Sequence, residues 1–260
     1  MLKIYSSFNI TLSIQSIKYF LLYKLNLKRL FIRKYFFKAT KKIQQKSTSY
    51  TIGLVIPLYE KHLVHLEELL HFISLSSILP CQVSISISSL TKPIIFKAYP
   101  FDILLTTNRF FQNASENRNI AANRLKTSII SFIDADDLPY FNRFEFILRA
   151  FELGSQVVLH NYYKSPNRYD FNFYQPTGDI EYSNQFIDII KDNHSLPSNS
   201  NLTVDYACGH VSLKTELFKK IRFKENNKFL YREDSEFVKV LFHYGIKPCY
   251  IHNYLSFYYK

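Results

Sequence analysis

From residue 51 onward, short apolar runs alternate with stretches whose apolar residues recur every three or four positions. "TIGLVIPLY" (51–59) is a strand-like run stopped by Pro57, and "KHLVHLEELLHFISL" (61–75) has apolar residues at 63, 66, 69, 70 and 73, the spacing of an amphipathic helix. "QVSISIS" (82–88) and "FDILLTT" (101–107) read as strands, "ASENRNIAANRL" (114–125) as a helix capped near Ser115, and "SIISFI" (128–133) as a buried strand. Leu138-Pro139 then marks a helix start, "YFNRFEFILRAFEL" carries helical periodicity, and Gly154 is a C′ stop. "SQVVLHNYY" (155–163) reads as a strand, "SLKTELFKKI" (212–221) as a helix, "EDSEFVKVLFHYG" (233–245) as a helix that begins with acids and closes on glycine, and "KPCYIHNYLSFYYK" as one or two strands. Between them, 164–205 lacks clear periodicity except for a candidate helix at 184–191, and is expected to form long loops around an opening. Strands apolar on both faces, alternating with helices, imply an α/β fold with a mostly parallel central sheet covered by helices on both faces. Ligands of such sheets bind at the carboxyl ends of the strands.

Charge divides the chain in two. Of 33 Lys and Arg, residues 1–48 hold 11 and no acid, which leaves 22 against 21 acids, or +1, for 49–260. The net charge of +12 therefore describes a basic, aromatic-rich N-terminal extension rather than a binding face, and nucleic acid is not expected as a partner. Nowhere in 17–42 does an uncharged apolar stretch approach the roughly 18 residues that a spanning helix requires. Three readings of the extension stay open: an interfacial helix on an anionic membrane surface, an acid-free targeting sequence, or a plain extension joined to the body by a polar linker. The expected location is cytoplasmic, peripheral to a membrane under the first reading. Cys81, Cys208 and Cys249 lack C-x-x-C spacing, which argues against a disulfide framework or cysteine-bound zinc, and they are expected to be buried thiols. N-x-S/T matches at Asn9, Asn113, Asn193 and Asn201 are what an Asn- and Ser-rich chain yields by chance.

Candidate chemistry concentrates in "SFIDADDLPY" (131–140), which crowds Asp134, Asp136 and Asp137 directly behind an apolar strand. Like charges so close repel unless a cation or water compensates them. Mg²⁺ or Mn²⁺ is commonly held by one or two carboxylates plus substrate phosphates, and Asp134 and Asp136, two apart where the chain turns, can face one ion. An EF-hand fails because Leu138 and Pro139 stand where an oxygen ligand and Gly are needed. With five glycines and no Walker loop or nucleophile elbow, phosphate recognition would fall to a metal and to Arg118 at the start of a helix. Asp137 reads as a cap for the helix that Pro139 opens.

Five fragments in order, "LVIPLYE", "ASENRNIAAN", "SFIDADD", "ACGHVSLKTELFKKIRFKE" and "YREDSEF", resemble family 2 glycosyltransferases over 51–260. The resemblance implies a GT-A-like single domain at 49–260 beyond the 1–48 extension. It also implies a hexosyltransferase-type activity, inverting and metal-dependent, that takes a nucleotide-diphosphate sugar, UDP-sugar first, to a carbohydrate or glycoconjugate acceptor. On this resemblance Pro57, Tyr59 and Glu60 would line the nucleotide side together with Arg118 and Asn119. Asp136 would ligate Mn²⁺ or Mg²⁺, Asp134 would approach the ribose or the metal, and Asp234 and Glu233, at a helix N-terminus that favours negative charge, would be the catalytic pair, with Asp234 the general base.

One position departs from the family pattern. Ser88 and Ser89 stand where members carry an acid that contacts the base, so the base is not named by the sequence. His210 and His252 are further candidates for metal or diphosphate contact, though a lone His is more often structural. A metal-dependent phosphohydrolase or nucleotidyltransferase using the same acids, and an inactive GT-A-like binding protein, remain the alternatives. Deleting residues 1–48 tests the extension: loss of binding to anionic vesicles, with salt weakening the full-length interaction, identifies an interfacial helix, and unchanged binding rules it out.

Overall fold

The computed structural model describes residues 49–165, 187–189, 211–225, 233–246 and 248–259, all within the unit Ser47–Lys260. The basic extension, Cys208, His210 and the side chain of His252 lie outside the described residues. In chain order, β1 (Ile52–Tyr59) leads through a 3₁₀ turn (Glu60–His62) into α1 (Leu63–Ile73), followed by β2 (Gln82–Ser88), β3 (Asp102–Thr107), α2 (Ala114–Arg124) and β4 (Ile129–Phe132). Then come β5 (Leu138–Pro139), α3 (Arg143–Glu152), β6 (Val157–Ser165), β7 (Ile187–Ile189), β8 (Val211–Lys214), α4 (Thr215–Lys220), α5 (Glu233–His243) and β9 (Cys249–Tyr259).

These strands form one sheet in the order β3-β2-β1-β4-β8-β6-β9-β5, with β7 pairing β9 beside that path. Pairings β1/β2, β2/β3, β1/β4 and β6/β9 are parallel, whereas β8 runs antiparallel to both β4 and β6, and β5 and β7 run antiparallel to β9. The α/β class and the mostly parallel, GT-A-like sheet are therefore those expected, with β8 the antiparallel insertion at its centre.

Alternation along β1 explains the layers. Ile52, Leu54, Ile56 and Leu58 join one buried cluster with α1 and α3, while Val55 joins another that holds Ala121 and Ala122 of α2, Phe218 of α4, and Phe237, Val238 and Leu241 of α5. Both faces of the sheet are thus covered, which is why β1, β2 and β4 are buried throughout apart from their ends. Two helices end as their glycines suggest. Gly154 (φ 98°) and Gly245 (φ 72°) occupy the left-handed C′ position, and the paired bonds Gly154 N to Phe151 O and Ser155 N to Ala150 O, like Gly245 N to Phe242 O and Ile246 N to Leu241 O, close Schellman motifs.

Five local expectations change. The cap of α2 is Asn113, not Ser115: its side chain accepts from Glu116 N at 2.9 Å while its own N–H donates to Glu116 Oε2 at 2.7 Å, a capping box. Leu138-Pro139 does not start a helix but is captured by β9, opposite Phe257 and Ser256, and α3 starts four residues later at Arg143. Proline is tolerated there because β5 ends the strand order, where a missing N–H costs no interior ladder bond. The stretch expected to be a helix at 184–191 holds β7, and the first residues of the expected helix at 212–221 belong to β8, because pairing with β9 and β4 outweighs local propensity. Of the cysteines, Cys249 is buried but Cys81 is exposed.

At Gly53 the backbone of β1 passes close to its neighbours. A Cβ there would meet Thr127 Oγ1 at 2.5 Å and the Leu125 methyls at 2.8 and 2.9 Å. Gly53→Ala is expected to lower stability by about 1–3 kcal/mol in urea unfolding, since the buried strand cannot shift away.

Candidate active site

The carboxyl ends of β1, β2 and β4 share one edge of the sheet, since all three run parallel. Just past β4, Ile133 N still bonds to Val55 O, and the chain then turns, with Asp137 N donating to Asp134 O at 3.1 Å. Asp134 and Asp136 are half-buried on this turn, whereas Asp137 is 1% exposed.

Arg118 reaches the turn from the first half of α2. Its Nη2 donates to Asp134 Oδ1 at 2.8 Å and its Nη1 to Glu233 Oε1 at 2.6 Å, so one guanidinium joins the acidic turn to the first residue of α5. The side chain is 3% exposed, with Phe223 beneath it at 5.5 Å from ring centroid to guanidinium carbon. Asp234, next to Glu233, accepts from Ser235 N at 2.8 Å in the first turn of α5. The structure therefore brings Asp134, Arg118 and Glu233 into direct contact, with Asp136 and Asp234 as chain neighbours of that set.

The remaining candidates have other surroundings. Pro57 is buried in β1 beside Ser86, and Tyr59 stands at the strand end beside Ser88, its ring 5.9 Å from Phe111 and 5.4 Å from Lys61 Nζ. Glu60 accepts from Thr91 Oγ1 at 2.7 Å and Thr91 N at 3.0 Å; the hydroxyl, then the amide, hold its carboxyl below its ordinary pKa. Asn119 uses its amide to hold another segment, donating to Phe223 O at 2.9 Å and Glu225 Oε1 at 2.8 Å and accepting from Phe223 N at 3.2 Å. Contact with a nucleotide would require Asn119 to give up these bonds.

Ser88, where the resemblance would expect an acid, is buried: it donates to Gln112 O at 3.2 Å and accepts from Asn117 Nδ2 at 3.2 Å, while Ser86 donates to Asn117 Oδ1 at 2.8 Å. Ser89 follows with φ 59°, a left-handed conformation uncommon outside glycine. Asn113, one of the glycosylation-like matches, is buried as the cap of α2.

No protein-family model and no curated protein matches this chain. Solved structures do. S. aureus TarS 1–349 in complex with UDP aligns with a TM-score of 0.56 at 12% identity, covering 81% of this chain and 60% of that one. TarS 1–349 in complex with UDP-GlcNAc gives 0.54 at 14% identity, covering 81% and 58%, and a longer TarS chain gives 0.56 at 13% identity, covering 81% and 37%. This chain spans less than two thirds of each of these TarS chains. It has a glycosyltransferase fold.

Within that glycosyltransferase fold, the acidic turn carries its own counter-charge. Arg143, the first residue of α3, is fully buried and donates to Phe132 O at 2.7 Å, Ser131 Oγ at 3.3 Å and Ser256 Oγ. Burial pulls its pKa down to about 9, and the charges of Asp137 and Asp134 oppose that fall, so the guanidinium stays positive at neutral pH. Sequence reasoning passed over Arg143, although the signal was there: it lies on the helical stripe of Phe146, Ile147, Ala150 and Phe151, where a cation needs a partner. Tyr258, adjacent to the β5/β9 pairing, was also missed. Its hydroxyl pKa is raised by burial first and then by the charges of Asp137 and Asp136, by Tyr162 and by Asp134, and its ring lies 5.5 Å from Tyr162.

Among the described residues, no group of three or more His, Cys, Asp or Glu is arranged to hold a metal. Two carboxylates on one turn nevertheless fit Mg²⁺ or Mn²⁺, for which hard oxygen donors from one or two acids, with water and phosphate, suffice. Arg143→Met is expected to cost about 3–5 kcal/mol in urea unfolding, because it removes a buried cation bonded to Phe132 O, Ser131 Oγ and Ser256 Oγ that also offsets the Asp137 charge, and adding Asp137→Asn should recover part of the loss.

Proposed function

We propose that residues 49–260 form an inverting glycosyltransferase of the family 2 type, moving a hexosyl group from a nucleotide-diphosphate sugar, UDP-sugar first, to a hydroxyl of a carbohydrate or glycoconjugate. The observation that carries this reading is the Arg118 bridge, which joins an acidic turn, suited to a cation that would meet a donor's diphosphate, to a second acidic helix start suited to an acceptor hydroxyl. Support comes from the fold, similar to that of TarS seen with UDP and with UDP-GlcNAc.

In this reading the nucleotide lies across the ends of β1 and β2, with Tyr59 and Phe111 offering ring faces to the base. Because Ser88 is already hydrogen-bonded and Ser89 turns the chain at positive φ, the base would meet hydroxyl and backbone groups there instead of a carboxylate. Asp136, with Asp134 beside it, would hold Mn²⁺ or Mg²⁺, which supplies positive charge to offset the charge gathering on the departing diphosphate. Asp234 takes the proton from the acceptor hydroxyl as its oxygen attacks the anomeric carbon from the face opposite the diphosphate. The N-terminus of α5 favours a negative charge at that position. Glu233 is held by Arg118 and serves as support instead of base.

Titration with UDP in the presence and absence of Mn²⁺, followed by a panel of nucleotide sugars scored for transfer and hydrolysis, tests the reading. Metal-dependent UDP binding is expected, and its absence would sink the proposal; phosphate release without sugar transfer would move the assignment to a phosphohydrolase. Asp136→Ala should weaken metal-dependent binding about tenfold or more, and Asp234→Asn should lower kcat by at least about a hundredfold with UDP binding little changed.

A further inference from the structure

We propose that Arg118 is a positioning residue: its two ion pairs clamp the first turn of α5 against the acidic turn after β4 and so set where Asp234 stands. This rests on the reading of Asp234 as the base, and it departs from the nucleotide contact that resemblance alone assigns to Arg118.

Helix α5 is polar in its first turn. Its buried apolar residues, Phe237, Val238 and Leu241, begin only at the fifth position, and the turn itself is built of Glu233, Asp234, Ser235 and Glu236. Glu236 pairs within the helix with Lys239 at 2.7 Å, so it adds no tie to the rest of the fold. Glu233 does, through the 2.6 Å bond to Arg118, and because Asp234 is its chain neighbour, whatever fixes the backbone at 233 fixes it at 234.

The mount on the other side is rigid. Helix α2 is pinned at its start by the Asn113–Glu116 capping box, to β2 by Asn117 through Ser86 and Ser88, and to the 223–225 segment by Asn119, whose hold on the Phe223 backbone keeps that ring under the guanidinium. A guanidinium is suited to this task because its planar fork can present separate N–H groups to two carboxylates at once, which a lysine ammonium cannot do in the same geometry. A nucleotide would have to compete with carboxylates already bonded to both Nη atoms of a side chain only 3% exposed, and giving up either pair is costly.

The test uses the full chain with Arg118→Gln, Arg118→Lys, Glu233→Gln and the Arg118→Gln/Glu233→Gln double variant. Amide hydrogen exchange at residues 233–238 should accelerate by about tenfold or more in Arg118→Gln and Glu233→Gln, with the second half of α5 little changed. The dissociation constant for UDP with Mn²⁺ should stay within about threefold, kcat should fall about tenfold to a hundredfold, and Arg118→Lys should restore part of it. The double variant should be no worse than the poorer single, as for two residues acting as one unit.

Unchanged exchange at 233–238 would overturn the proposal. So would a UDP dissociation constant raised about tenfold with kcat intact, which marks a donor contact instead. If Arg118→Gln does not fold, Glu233→Gln and Arg118→Lys carry the same comparison. Should the wild-type chain bind no UDP, the functional reading fails while the exchange measurement still decides whether the clamp exists.

Discussion

A carboxylate removed from water must find a positive partner, and the turn after β4 sets this demand fully at buried Asp137 and in part at half-buried Asp134 and Asp136. Two arginines from different helices answer it inside the protein. Arg143 lies fully buried under the turn, interacting with Asp137 and Asp134 and bonded to β4 and β9, while Arg118 takes Asp134 from the other side and extends to Glu233. The acidic turn, α2, α3, α5 and β9 are thereby tied into one electrostatic unit. In the proposed reading Asp136, with Asp134 beside it, holds the metal.

The same unit explains why polar residues crowd a buried helix. Helix α2 carries Ser115, Asn117, Arg118 and Asn119 as buried side chains, a composition that would disfavour burial unless each found a partner. Asn117 finds Ser86 and Ser88, Asn119 finds Phe223 and Glu225, and Arg118 finds two acids. The helix acts less as a hydrophobic slab than as a polar connector between β2, the acidic turn and α5. Its burial and its function in holding the site have one cause.

Fold similarity to TarS at 12–14% identity fits this picture, because what two such chains share is the sheet and the placement of its strand ends. Ser88 and Ser89 stand at the end of β2, and Phe110 and Phe111 are 79% and 65% exposed after β3, with Phe111 beside Tyr59. These positions shape the proposed nucleotide side of the cleft without altering the layers beneath it.

The elements with strong periodicity were legible from the sequence alone: β1, α1, β2, β3 and β4, and the two glycine-terminated helices, because local patterning and burial agree there. So was the position of Asp134 and Asp136 just behind a strand and of Asp234 at a helix start. What could not be read locally was everything decided by distant pairing. Leu138-Pro139 is a strand because β9, about 118 residues away in the chain, pairs with it, and 187–189 is a strand for the same reason. Arg118 and Glu233 are 115 residues apart, and no spacing rule links them. The sequence by itself determined the residue types, the periodicities and the crowding of charge; tertiary structure alone decided which cation meets which carboxylate, because an ion pair is fixed by distance in space and by the burial that removes competing water.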